Sequence, residues 1–367
     1  MKSKKLSTTA TMKIAARLIP VLLALSTLMF FGTGCTTVQK SKVPTEQDMA
    51  AYLFVYFKDD THSLYSALSR DGYSFTDVNS GQPIMDGTKL AEQKGIRDPY
   101  IVRGPDNAFY LAMTDLHIFA KQKGYRTTEW ERPRELYDWG NNRAIVLMKS
   151  TNLLDWTHTI YHPGEAFEKF KDVGCVWAPQ MIYDEAEKKM LVTFTTRFGK
   201  GRNKLYYAYA DEAFTKFVTE PVELFQYPRD KNIIDSDITK VGNKYHLFYV
   251  AHDRPGGIRQ AVSDRINGGY VFDETKVDPE KVACEAPSVW KRIGQDKWVL
   301  MYDVFGVNPH NFGFSETTDF KTFTNLGRFN EGVMKATNFK SPKHGAVIHL
   351  TQAEAYRLAK HWKLERY

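Results

Sequence analysis

The stretch DSDITKVGNKYHLFYVAHD, residues 235–253, carries the pattern that decides the fold. It opens on an acid and small residues, runs through an apolar strand, turns at Gly242-Asn243 and returns through KYHLFYVA. Short aromatic and β-branched runs bounded by turn residues read as strands. Four other segments follow the same plan: DPYIVRGPDNAFYLAMTD from Asp98, WAPQMIYDEAEKKMLVTFTT from Trp177, EAPSVWKRIGQDKWVLMYD from Glu285 and HGAVIHL from His344. Their starts recur roughly every 50–80 residues, which marks an internal repeat.

A second motif alternates with the first. YSALSRDGYSF (65–75), VLMKSTNLLDW (146–156), YAYADEAFTKF (207–217), RQAVSDRINGGYVF (259–272) and FGFSETTDFKTF (312–323) each read as a strand, a turn and an aromatic residue. Two hairpins per unit make a four-stranded antiparallel sheet. Five such sheets around an axis make an all-β, five-bladed β-propeller. HGAVIHL lacks a second inner strand near the C-terminus, and AAYLFVYFKDD (50–60) is expected to supply it and close the ring. Closure removes edges that an open sandwich, the alternative, leaves free to pair. Helical signals are scarce; the clearest is TQAEAYRLAKHW (351–362), where Thr351 and Glu354 have capping-box spacing, so a short C-terminal helix is expected.

The innermost strands of a propeller run the same way along its axis, so their starting residues gather at one end. Here those residues are Asp98, Trp177, Asp235, Glu285 and His344. Singly, each acid has a bland reading: Asp98 before Pro99 can start a turn, Asp235 can cap a bend with Asp237 equally available, and Glu285 can pair with a base. Together they put three carboxylates in one cavity. Like charges and burial raise carboxylate pKa values, so one acid can stay protonated while another stays ionised. An acid and a base across one bond is what glycoside hydrolysis requires. An indole such as Trp177 gives a sugar ring an apolar face to stack on.

The segments RDPYI, WAPQ, IIDSDI with GNKYHLFY, EAPSVW and KHGAVIHLT resemble the inverting glycoside hydrolases of family 43, from about Tyr52 to the end of the chain. The resemblance implies Asp98 as general base, Glu285 as general acid and Asp235 as the residue that tunes and orients the acid. It implies base and acid carboxyls roughly 6.5–9.5 Å apart, leaving room for a water. Gln180 stands in WAPQ where the family often has Glu, which bears on substrate fit; Trp177 and Gln180 are accordingly expected to bind substrate. His344 is similar to a channel histidine that family members hold against a calcium ion or water, so a structural calcium is a candidate; no other cofactor is implied. Members release α-L-arabinofuranosyl or β-D-xylosyl units, and some act on galactofuranosyl or galactosyl linkages. A non-catalytic glycan-binding lipoprotein is the alternative of another class. RDP with CE also resembles fructan-cleaving propellers, but their upstream Asn-Asp-Pro-Asn motif is absent.

The long segment 116–143 holds Trp130, Tyr137, Trp139 and Asn141-Asn142. Loops of this length are often functional. It is expected to form a rim that narrows the pocket toward terminal sugars, with Trp139 touching substrate; a packed surface excursion is the plainer reading.

The N-terminus has the order of an export signal: Lys2, Lys4, Lys5, Lys13 and Arg17, then IPVLLALSTLMFFG, then small residues up to Cys35. The apolar run falls short of the about 20 residues a spanning helix needs. GTGC (32–35) resembles a bacterial lipobox with Gly32 in place of its usual Leu. The expected organisation is a signal peptide at 1–34, lipidated Cys35 with a polar tether at 35–48, and the propeller at 49–367, giving an exported lipoprotein of the periplasm or cell surface. Partners expected are a glycan and a membrane. The net charge of +7 is spread along the chain, and no basic run with interleaved aromatics suggests nucleic acid. The 43% hydrophobic and 14% aromatic content suffices for a large core. Cys175 and Cys284 could form one disulfide or none, and no Cys/His spacing suggests zinc.

Overall fold

A computed structural model describes residues 43–364. The segment 1–34, Cys35 and the first part of the tether lie outside the described residues. Within the expected tether, Glu46–Asp48 form a 3-10 turn, and Glu46 lies 3.1 Å from Lys291 Nζ.

Among the described residues there are five sheets, each of four or five strands. Blade I comprises Ile96–Arg103, Phe109–Asp115, Ile145–Ser150 and Thr159–Tyr161; blade II comprises Val173–Asp184, Lys189–Phe198, Lys204–Tyr209 and Val222–Glu223. Blade III comprises Ile233–Val241, Lys244–Ala251, Gly257–Ser263 and Val271–Lys276; blade IV comprises Glu285–Lys291, Trp298–Val304, Asn311–Thr317 and Thr324–Arg328. In each, consecutive strands pair antiparallel, as the hairpin pattern of the sequence requires.

Blade V is assembled from both ends of the chain. Its inner strand, Lys343–Thr351, pairs antiparallel with Met49–Phe57, with Phe54 opposite Val347. Leu64–Ser69 and Ser74–Asp77 follow outward, and Lys335–Ala336 adds a parallel edge. The inner strand of each blade touches that of the next, and blade V touches blade I, so the ring is closed. Closure is sealed by aromatic packing: the buried Phe54 ring lies 5.4 Å from Phe312 of blade IV and 5.9 Å from Phe75. The helix Gln352–His361 has the expected capping box, and Glu354 lies 2.6 Å from Arg103 of blade I. Cys175 and Cys284 are both free and buried.

Every inner strand is interrupted near its start by a bulge. The register slips between Arg97 and Tyr100, Trp177 and Gln180, Ile234 and Asp237, and Glu285 and Ser288; in blade V it slips beside His344. At each bulge one residue takes a left-handed conformation: Asp98 (φ 53°), Ala178 (46°), Asp235 (52°), Ala286 (57°) and His344 (26°). Bulges bend a strand and re-aim side chains, often beside functional sites.

Candidate active site

The bulges define two tiers of side chains at the mouth of the ring. Asp98, Ala178, Asp235, Ala286 and His344 occupy the left-handed position, and Arg97, Trp177, Ile234, Glu285 and Lys343 come one residue earlier. This corrects the register read from sequence. Trp177 and Glu285 are not equivalent to Asp98, Asp235 and His344; they stand one residue upstream. A bulge presents two consecutive residues at the same rim, so both tiers reach the same space.

That space is a cavity of about 70 Å³ lined by Arg97, Asp98, Trp177, Asp235, Glu285 and His344, with Ile234, Leu116 and Trp139 completing its wall. The three carboxylates, the imidazole and both indoles singled out from sequence therefore meet. Gln180 does not line the cavity: it lies beyond the bulge, buried, and its Nε2 donates to the Pro287 carbonyl at 3.2 Å while its Oε1 has no partner. Asp237 lies at the same depth and accepts from Tyr100 Oη at 3.0 Å and Val289 N at 3.1 Å.

Asp98 is buried and fully engaged. Its Oδ2 accepts from Thr114 Oγ1 at 2.6 Å and its Oδ1 lies 3.1 Å from His344 Nδ1. Burial alone would raise its pKa, but the His344 imidazolium, then Arg97 and the Thr114 hydroxyl, outweigh it and hold the carboxyl at about 2. His344 responds reciprocally: burial works against its charge, yet Asp98 and the other acids raise it to about 9. Asp235 moves the opposite way. Burial pushes it up to about 7, with Glu285 and Asp98 adding to the rise and His344 opposing it. Its Oδ2 accepts the Ala286 N–H at 3.1 Å, which anchors it beside the strand that bears Glu285.

Four participants, Lys343, Asp303, Arg97 and Asp59, escaped the sequence reading. Lys343 is buried, with Nζ 3.5 Å from Glu285 Oε1, 3.5 Å from Asp303 Oδ2 and 3.8 Å from Asp59 Oδ2. Asp303 is fully buried, and burial lifts its pKa to about 7 despite Lys343. Arg97 donates to Asp59 Oδ1 at 2.8 Å and lies over the Phe57 ring at 4.7 Å. A signal for two of them was present: Arg97 and Lys343 immediately precede Asp98 and His344, at the offset that Glu285 holds before Ala286.

The rim segment 116–143 behaves differently at different residues. Trp139 is 40% exposed and reaches the cavity, its ring 5.8 Å from Trp177 and 5.7 Å from the buried Trp130. Gly140 fits here because a Cβ would meet the Trp177 ring at 2.9 Å; its carbonyl accepts Trp177 Nε1 at 2.8 Å. Asn141 and Asn142 are wholly buried braces. Asn142 joins blades I and II through the Asp115, Ala144 and Val176 carbonyls and the Val176 N–H. The segment is exposed along most of its length, is anchored by the buried Leu116, His117, Trp130, Asn141 and Asn142, and meets the cavity at Leu116 and Trp139.

The donor set suits calcium poorly. Calcium prefers about six to eight oxygens. His344 spends Nδ1 on Asp98, and its buried Nε2, which has no hydrogen-bond partner, is a single nitrogen donor rather than an oxygen set. Among the described residues no group of three His, Cys, Asp or Glu side chains is arranged to hold a metal.

Comparison with known proteins agrees with this geometry. A family model of the family 43-related set, described as a probable glycosyl hydrolase domain, matches residues 47–356. No curated protein matches the chain. Solved structures of similar fold include an endo-1,4-beta-xylanase from Bacteroides thetaiotaomicron VPI-5482, 12% identical over 76% of this chain and 91% of that one, with a TM-score of 0.53. An exo-1,5-alpha-L-arabinanase from a bovine ruminal metagenomic library is 15% identical over 78% and 99%, with a TM-score of 0.50. A xylan beta-1,4-xylosidase from Bacillus halodurans C-125 is 14% identical over 79% of this chain and 54% of its own, with a TM-score of 0.52. At such identities the likeness is one of fold.

Proposed function

The chain belongs to the family 43-related glycosyl hydrolases, and from that premise we propose that it is an inverting, exo-acting hydrolase releasing α-L-arabinofuranosyl or β-D-xylosyl units from plant-type polysaccharide side chains. The observation that supports this best is the meeting of Asp98, Asp235 and Glu285 in one cavity, with Asp98 held in the ionised form that a base requires. A base and an acid on opposite sides of one bond is the arrangement glycoside hydrolysis requires.

In the mechanism, Asp98 is the base. Ionised at all ordinary pH values, it takes a proton from a water whose oxygen attacks the anomeric carbon. The bond to the glycosidic oxygen breaks, and that oxygen takes a proton from Glu285. Asp235, fixed by the Ala286 N–H, orients the acid. Arg97 and His344 balance the buried negative charge. Trp177 and Trp139 supply the apolar face for the sugar ring. A cavity of about 70 Å³ holds only about two waters' volume. A sugar ring therefore sits above it, with the acids as its floor and Trp139 at its side.

One observation favours a second reading, a glycan binder without turnover. The Lys343 ammonium lies 3.5 Å from Glu285 Oε1, which leaves Oε2 alone to carry the proton the acid must transfer. Nitrophenyl α-L-arabinofuranoside, β-D-xyloside and β-D-galactofuranoside separate the readings. Release of nitrophenol from one of the first two supports the proposal, release from the third alone reassigns the sugar, and binding without release supports the binder. Asp98→Asn and Glu285→Gln are each expected to cut turnover by about 10²–10⁴-fold with an unchanged circular dichroism spectrum. Full activity in either variant on a natural glycan removes that residue from the scheme.

Export and lipid anchoring at Cys35 belong to the same proposal, supported by the basic, apolar and GTGC segments in that order. Expression in a bacterium should give a membrane-bound protein that Cys35→Ser releases to the soluble fraction; equal membrane binding by the variant would remove the anchor.

A further inference from the structure

Beside the cavity, between blades III and IV, runs a groove of about 680 Å³, within the range of about 300–1,000 Å³ typical of ligand sites. It lies at the same end of the ring. The end of Lys244–Ala251, the start of Gly257–Ser263, the end of Val271–Lys276 and the approach to Glu285 all contribute to it. It shares Ile234 and Glu285 with the small cavity and does not include Asp98. Glu285 thus stands between two spaces, with the base on one side and the groove on the other.

Resting on the hydrolase reading, we infer that this groove holds the leaving group, a neutral oligosaccharide of two or more residues, with Phe305 as its stacking platform. The chemistry fixes the direction. The glycosidic oxygen must meet Glu285, so the part of the substrate beyond that oxygen lies on the side away from Asp98. Phe305, Val282 and Ala283 give the groove an apolar wall, and Phe305 is 38% exposed there. Aromatic faces are suited to sugar rings. The wall is braced, since Gly306 N donates to the Ala283 carbonyl at 3.0 Å. The charges within are already spent: Lys276 pairs with Asp278, and Glu280 lies 2.6 Å from Arg328. Lys281 remains exposed at the rim, in water. Such a wall suits neutral sugars better than uronic acids.

The test compares two substrates that release the same sugar, the methyl glycoside and the linear trisaccharide, taking whichever sugar of the arabinofuranosyl, xylosyl and galactofuranosyl series the wild type liberates. Phe305→Ala should lower kcat/KM on the trisaccharide by about tenfold, the upper end of one aromatic contact, and leave the methyl glycoside, whose leaving group is too small to reach Phe305, within about twofold. Val282→Trp fills the groove away from Lys343 and should act in the same selective way. Equal losses on both substrates, or none on either, overturn the groove assignment while hydrolysis stands. No cleavage of any substrate by the wild type overturns the hydrolase reading, and the groove's role with it.

Discussion

At the scale of single residues, the site is a contest between burial and charge. Asp98 and His344 gain from their 3.1 Å contact, so each has a pH window in which the pair supports the fold. Asp98, lowered from 3.8 to about 2, contributes stability present above 3.8 and lost as pH falls through 2. His344, raised from 6.5 to about 9, contributes stability present below 6.5 and lost as pH rises through 9. Replacing the imidazolium should therefore raise the pKa of Asp98. His344→Gln is expected to move the acid limb of kcat/KM upward by about one unit or more, read from a pH–rate profile. An unmoved limb would separate His344 from the base. Asp235 has the opposite sign. Its pKa, raised to about 7, opposes folding increasingly as pH rises from 3.8 through 7. Asp235→Asn keeps an acceptor for the Ala286 N–H and removes the buried charge, so Tm at pH 8 should rise by about 2–4 °C even as activity is lost. A fall in Tm at that pH would show that ionised Asp235 stabilises the fold.

At the scale of elements, the inner-strand bulge is the device that makes a site out of a sheet. A left-handed residue breaks the ladder and frees its N–H, and a neighbouring blade takes up that donor. Ala178 N donates to Thr114 Oγ1 of blade I at 2.8 Å, Asp235 N to Thr195 Oγ1 of blade II at 3.0 Å, and His344 N to Asp303 Oδ2 of blade IV at 3.2 Å. Ala286 N donates to Asp235 of blade III. Four of the five bulges are thereby tied to the blade before them, and Asp235 and His344 are held by bonds that also join blades. Thr195→Val keeps the shape and leaves the Asp235 N–H buried without a partner, which should cost about 1–3 kcal/mol in denaturant unfolding. A neutral result would mean that a water replaces the hydroxyl.

At the scale of the molecule, the ring is closed by strands from opposite ends of the chain, so the last blade forms only when residues 49–57 meet residues 343–351. That seam lies at the site, since Lys343 and His344 open the inner strand there. Phe54 fills the seam among Phe75, Phe312, Phe329 and Phe339. Phe54→Ala should cost about 3–5 kcal/mol. Because the ring is one cooperative closure, activity and the unfolding transition should be lost together across a denaturant series. Activity persisting after the main transition would show that the site does not depend on the seam.

The sequence by itself determined the five repeats, the closing strand at 50–60, the helix after Thr351 and the gathering of Asp98, Asp235 and Glu285 at one end. These follow from strand periodicity, turn residues and caps, which are written locally. Only the tertiary structure decided the register of the mouth, the engagement of Lys343 and Asp303, the withdrawal of Gln180 and the groove behind Glu285. The reason is that the bulge inserts one residue in a conformation taken here by Asp, Ala and His alike, with no glycine to announce it. Which side chain then meets which depends on partners up to scores of residues away. Glu285 and Lys343 are separated by |i−j| = 58 in the chain and by 3.5 Å in space.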